Sequence, residues 1–128
     1  MESDADELSR WVIRLTEKAN ANLEAGREHF ARTASEEIAD LWREGIEAEI
    51  AKLSRTPNRF PIAPEDFRFV RTVRHLIYRR MPQSPAYRAL FVLLLPLDES
   101  PTVLVMNIRH AAQKPMTRKE AREIEASE

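Results

Sequence analysis

The sequence predicts an α+β fold in the order β-α-α-β-β-β, a helical hairpin packed on a small antiparallel sheet. Three observations lead there. Apolar residues recur at helical spacing from Ile38 to Leu53, residues alternate with period two near the start and again after residue 72, and a proline-rich stretch separates the two regimes. The 128 residues suit one domain and can bury a core without disulfides or a structural metal.

Residues 1–9 read as a flexible acidic lead-in, followed by a single domain over 10–115 and a polar tail or short helix over 116–128. Trp11, Ile13 and Leu15 alternate with Val12, Arg14 and Thr16, the period of a short strand. Thr16 is a natural N-cap for a following helix, with Glu17 near the positive end of its dipole. Ala19, Leu23 and Phe30 give that helix a thin apolar stripe. Gly26 falls on the same stripe, adds no side chain and costs helix stability.

The second helix is better marked. Thr33 and Glu36 have capping-box spacing, with Ser35 a rival cap. Ile38, Leu41, Trp42, Ile46, Ile50 and Leu53 then share one face, opposite charged residues. Thr56-Pro57 ends the helix, because proline disfavours helical backbone in the residue before it. Two helices joined so closely form an antiparallel hairpin with one shared apolar side.

Beyond Pro57, Pro61 and Pro64, Val73, His75 and Ile77 alternate with Arg74, Leu76 and Tyr78 as a strand. Met81 to Ala86 reads as a turn, and Tyr87 to Leu95 as a central strand that is apolar on both faces apart from Arg88. Thr102 to His110 is a third strand rich in β-branched residues. Consecutive strands with short loops make an antiparallel meander. Thr117 and Glu120 again have capping-box spacing, but Ala121, Ile124 and Ala126 are too few to dock a terminal helix firmly in isolation.

The net charge of −1 hides a segregation. Acids dominate from Glu2 to Glu49, whereas Arg68 to Leu97 contains no acid but holds Arg68, Arg71, Arg74, Arg79, Arg80 and Arg88. Such a chain presents a basic surface to a polyanion or acidic partner, or else a solvated strand face. The absence of cysteine excludes disulfides and thiol chemistry. No apolar run approaches the roughly 20 residues that span a bilayer, and the acidic start lacks a signal-peptide pattern, so a cytoplasmic protein with no membrane association is expected. His29 and His75 lack partners at metal-ligand spacing, and there is no glycine-rich phosphate loop. Neither metal nor cofactor is expected.

Several strings resemble, in order, those of the RelE/ParE toxin superfamily. Trp11 to Ala19 is similar to its opening strand and first helix, and Phe60-Pro-Ile-Ala-Pro-Glu65 to the connection after its helical hairpin. Val73 to Tyr78, Tyr87 to Phe91 and Val105 to Gln113 are similar to its three later strands. The resemblance covers about residues 10 to 115. It implies the toxin of a type II toxin–antitoxin system, of the kind associated with plasmid stabilisation. Such a toxin is neutralised by an antitoxin whose C-terminal segment wraps it, and operator DNA is bound only through that antitoxin.

Under that resemblance two activities remain open, beside a non-toxic relic that only binds an antitoxin. Ribonuclease members cut ribosome-bound mRNA with a few basic residues and commonly a C-terminal tyrosine. On that reading Arg88, Arg109 and His110 would be catalytic, the arginines facing the charged transition state and the histidine moving a proton. No tyrosine follows Tyr87, which favours the ParE-like branch, whose members inhibit DNA gyrase by protein–protein contact. Arg109 and His110 point to opposite faces of their strand, so at most one shares the surface of Arg88, and a structural hydrogen bond is the simpler role for His110. Arg71, Arg74, Arg79 and Arg80 are expected to contact antitoxin or target. Trp11, Trp42, Tyr78 and Tyr87 are read as packing residues.

Overall fold

A computed structural model describes residues 10–128; the acidic lead-in over 1–9 lies outside the described residues. Strand β1 (Val12–Leu15) runs into helix α1 (Glu17–Thr33). The Thr16 hydroxyl caps that helix, accepting from the Ala19 N–H at 3.1 Å. Helix α2 (Glu36–Ala51) is capped by Ser35, which accepts from the Ile38 N–H at 3.0 Å. The rival Thr33 instead donates its hydroxyl to the His29 carbonyl in the last turn of α1.

The two helices form the expected hairpin, with one reassignment. Leu41 is 48% exposed, and Ala39 lies buried beside Trp42, Ile46 and Ile50. Gly26 also gains a positive role. A Cβ there would lie 2.4 Å from the Trp42 ring, so only glycine lets the indole close on α1.

Strands β2 (Arg74–Tyr78), β3 (Tyr87–Leu94) and β4 (Thr102–His110) form the predicted meander. The sheet order is β1-β4-β3-β2, with β1 parallel to β4 from Val12↔Thr102 to Leu15↔Val105. The sheet is thus mixed, not wholly antiparallel. Alternation in one strand says which face is buried and nothing about the direction of the strand beside it. Between Leu90↔Asn107 and Phe91↔Val105 the register skips Met106, a bulge in β4.

Each face of the sheet carries its own core. The hairpin face packs Leu23, Trp42, Ile46, Leu53, Phe91 and Val105. The other face is covered by α3 (Arg118–Ala126), capped by Thr117, whose hydroxyl accepts from the Glu120 N–H at 3.1 Å. Ala121 and Ile124, joined by Met116 ahead of the helix, pack on Leu90, Val92 and Met106. The terminal segment, too poor in apolar residues to stand alone, docks because β3 and β4 offer apolar side chains on this face too. Among the described residues no helix is long and apolar enough to cross a membrane.

Candidate functional site

The sheet brings together residues that the sequence keeps apart. Arg88 of β3 pairs in register with Arg109 of β4, beyond the bulge. Two cations directly opposite on one sheet face repel, and the fold compensates from both sides. Pro64–Arg68 forms a short 3-10 turn that inserts Glu65. Its carboxylate accepts two hydrogen bonds from Arg88, one of them 2.9 Å from Nη1 to Oε1, and its Oε2 lies 4.0 Å from Arg109 Nε. Arg109 also donates to Glu120 Oε2 at 2.9 Å, to the Lys114 carbonyl at 3.0 Å and to Asn107 Oδ1 at 3.3 Å.

Burial sharpens the electrostatics. The Arg109 side chain is 2% exposed, and those of Arg88 and Glu65 are 14% and 11%. The Arg88 hydrogen bonds hold the Glu65 carboxyl below the usual carboxylate range, against the opposing effect of burial. His75 lies on the same face with Nδ1 3.1 Å from Arg88 Nη1. Arginine can only donate, so Nδ1 accepts and the neutral ring carries its proton on Nε2. Burial, reinforced by the Arg88 charge, pushes the His75 pKa down and favours that neutral ring.

The remaining expected site residues are dispersed. His110 lies on the hairpin face, edge-on to Tyr87 with ring centroids 5.0 Å apart, and its Nδ1 accepts the Ala112 N–H at 2.9 Å. It serves the strand end and is not beside Arg88. Arg71 pairs with Glu128 of the terminal segment, Arg74 donates to the Phe60 carbonyl and Arg79 to the Ser84 carbonyl. Arg80 lies near Tyr78, whose phenol pKa its charge lowers against a larger upward push from burial. Arg71 and Arg74 therefore flank one end of β2, and Arg79 and Arg80 the other. Tyr78 and Tyr87 both pack into the hairpin core.

A hollow of about 310 Å³ opens beside the ion pairs, lined by Glu65, Phe67, Arg68, Arg88, Lys114 and Met116 among others. The Arg68 guanidinium lies over the Phe67 ring, with its Nε buried and unpaired. Sequence reasoning missed Glu65, Glu120, His75 and Lys114 as neighbours of the two arginines. Their separations along the chain carry no trace of the contact; the one visible cue is that Glu65 and Asp66 are the last acids before the arginine-rich stretch. Among the described residues no group of three or more His, Cys, Asp or Glu side chains could hold a metal ion. A second hollow, of about 370 Å³, lies between β1 and α2 and is mainly apolar, lined by Trp11, Ile13, Leu15 and Ile50 with Glu47 at its rim.

No family model matches the sequence, and no curated protein does. Among solved structures, a chain of the "Chromosomal ParDE TA system from P. aeruginosa" superposes with a TM-score of 0.59 at 20% identity, covering 80% of this chain and 97% of that one. The chain therefore shares its fold with a component of that system.

Proposed function

We propose that this chain is the toxin of a type II toxin–antitoxin pair and that it inhibits DNA gyrase by protein–protein contact. The shared fold and the ordered resemblance of its strings support the pair assignment. The mode of action rests on one observation: Arg88 and Arg109, the two cations a ribonuclease would turn toward a scissile phosphate, are already matched by Glu65 and Glu120. A phosphate would have to displace a carboxylate already paired with the arginine to reach either. The one imidazole beside Arg88 among the described residues, His75, is engaged by it, and neither tyrosine belongs to this face.

The partner on this reading is a cognate antitoxin, through which alone operator DNA is bound. The apolar hollow between β1 and α2 suits one face of an amphipathic helix of that antitoxin. The competing reading, a ribosome-dependent mRNA endoribonuclease, draws support from the hollow beside Arg88, where Arg68 and Lys114 add positive charge.

Induced expression separates the two, with plasmid supercoiling and a reporter mRNA followed in parallel. Growth arrest with altered topology and intact message is expected, relieved when the protein encoded by the adjoining reading frame is co-expressed. Arrest with message cut at the ribosome would replace gyrase inhibition by RNA cleavage, and unaffected growth would remove the toxin assignment.

A further inference from the structure

The apolar contacts of helix α3 stop short of one end of its sheet face. Ala121 and Ile124 pack on Leu90, Val92 and Met106. Arg88 lies two residues nearer the start of β3 on the same face. Ile77 pairs in register with Arg88 and so points the same way, yet it stands 54% exposed. The turn over Pro64–Arg68 borders this end and presents Phe67, 74% exposed. Large apolar side chains left bare around a charged site mark a contact surface.

The hollow of about 310 Å³ beside Arg88 gives that surface a charge. Phe67, Arg68, Arg88 and Lys114 stand in its wall, and Glu65 is the one acid there among the described residues. Glu65 is committed to Arg88 and lies close to Arg109. Arg68 and Lys114 have no carboxylate partner among the described residues, and the buried Nε of Arg68 lacks an acceptor. The hollow therefore offers two unmatched cations beside an exposed aromatic ring.

That composition fits a protein better than a nucleic acid. Nucleic-acid affinity grows with the number of phosphates neutralised, and the Glu65 carboxylate in the wall repels a phosphate chain. The Arg68 guanidinium covers one face of the Phe67 ring, which leaves less of it for a base to stack on. A single carboxylate set among apolar side chains satisfies both cations and also covers Phe67 and Ile77. Aromatic and arginine side chains so placed are the usual anchors of protein–protein contacts.

We propose that this end of the sheet face is the surface that contacts the target protein. A carboxylate side chain of the target enters the hollow and meets Arg68 and Lys114, while apolar target side chains cover Phe67 and Ile77. The target's identity rests on the reading above, in which it is gyrase. The apolar hollow assigned there to the antitoxin lies between β1 and α2, on the hairpin side of the sheet. The two partners thus use separate surfaces, and a substitution can impair one contact and spare the other.

The test measures inhibition of purified gyrase, and binding of the protein encoded by the adjoining reading frame, for the wild type, Phe67→Ala, Arg68→Glu and Leu97→Ser. Thermal melts confirm that each variant folds. Leu97, 99% exposed in the loop at the other end of β3, is the control. Phe67→Ala and Arg68→Glu each raise the concentration needed for half-inhibition of supercoiling at least about tenfold. Leu97→Ser leaves it unchanged, and all three bind the adjoining-frame protein as tightly as the wild type. Full inhibition by both Phe67→Ala and Arg68→Glu overturns the surface while gyrase inhibition stands. An equal loss of binding to the adjoining-frame protein gives the surface to that partner and overturns it as the target contact. A wild-type chain that leaves gyrase untouched overturns both the surface and the gyrase reading. Cleavage of a reporter message by the wild type, lost in Arg68→Glu, makes the hollow an RNA site instead.

Discussion

Glu65 decides whether Arg88 and Arg109 can occupy opposite positions in a buried sheet face. Glu65→Gln removes the charge that both arginines share and leaves cations under-compensated away from water, which costs roughly 3–5 kcal/mol when a buried pair is broken. Urea unfolding measures that loss; a shift of less than about 1 kcal/mol would mean that solvent already screens the cluster. The same residues set the response to acid. His75 titrates below its ordinary value, so the unfolded chain takes up its proton first and stability falls as the pH drops below about 6.5. The folded pKa of Glu65 is also depressed, so its contribution is full above the unfolded value of about 4.3 and disappears as the pH falls through the folded one. Melting temperature followed from pH 8 to pH 3 should fall in these two windows, and His75→Gln should abolish the upper one.

Among the elements, α1 and α3 show how packing overrides local preference. Gly26→Ala gains about 1 kcal/mol of helix propensity but drives a methyl group into the Trp42 ring, and overpacking of this kind costs roughly 1–3 kcal/mol. A net loss of stability is expected; a gain would mean that the indole moves aside freely. Helix α3 is weak as an isolated segment and firm only while docked. Ile124→Ala should release it locally, so the α3 amides exchange quickly while β4 stays protected. The global loss should be smaller than the roughly 2–5 kcal/mol typical of a buried isoleucine in a core that cannot open. Uniformly faster exchange in sheet and helix would show that α3 and the sheet unfold as one unit. Undocking also uncovers Arg109, because Glu120 leaves with the helix.

The whole molecule is a sheet with a different cover on each face, and the two covers separate its roles. The hairpin side holds aromatic packing among Phe30, Trp42 and Tyr87. The other side holds the paired charges and the terminal helix. If Arg88 is structural, Arg88→Ala lowers the melting temperature and leaves a reporter message as intact as the wild-type protein does. Cleavage by the wild type that Arg88→Ala abolishes without loss of folding would instead make Arg88 a catalyst. The element order was legible in the sequence because periods of 2 and 3.6 residues register burial directly, and the caps at Thr16, Ser35 and Thr117 stand where their side chains permit. The candidate site was legible only in part. Arg88 and Arg109 stood out, but Glu65 and His75 lie 23 and 13 residues from Arg88 along the chain and reach it only through the fold.

By itself the sequence determined the order and kind of the six elements from β1 to β4, most of the apolar faces of the hairpin, and the arginine-rich stretch before and within the central strands. These are local properties, fixed by side-chain spacing and backbone preference within a few residues. Tertiary structure alone decided that β1 runs parallel to β4, that a bulge sets Arg109 opposite Arg88, and that α3 brings Glu120 to Arg109. It also decided that β3 outruns the ladder it forms with β2. Each depends on contacts between segments distant in the chain, where what matters is the balance of burial and charge summed over partners that no single stretch of sequence contains.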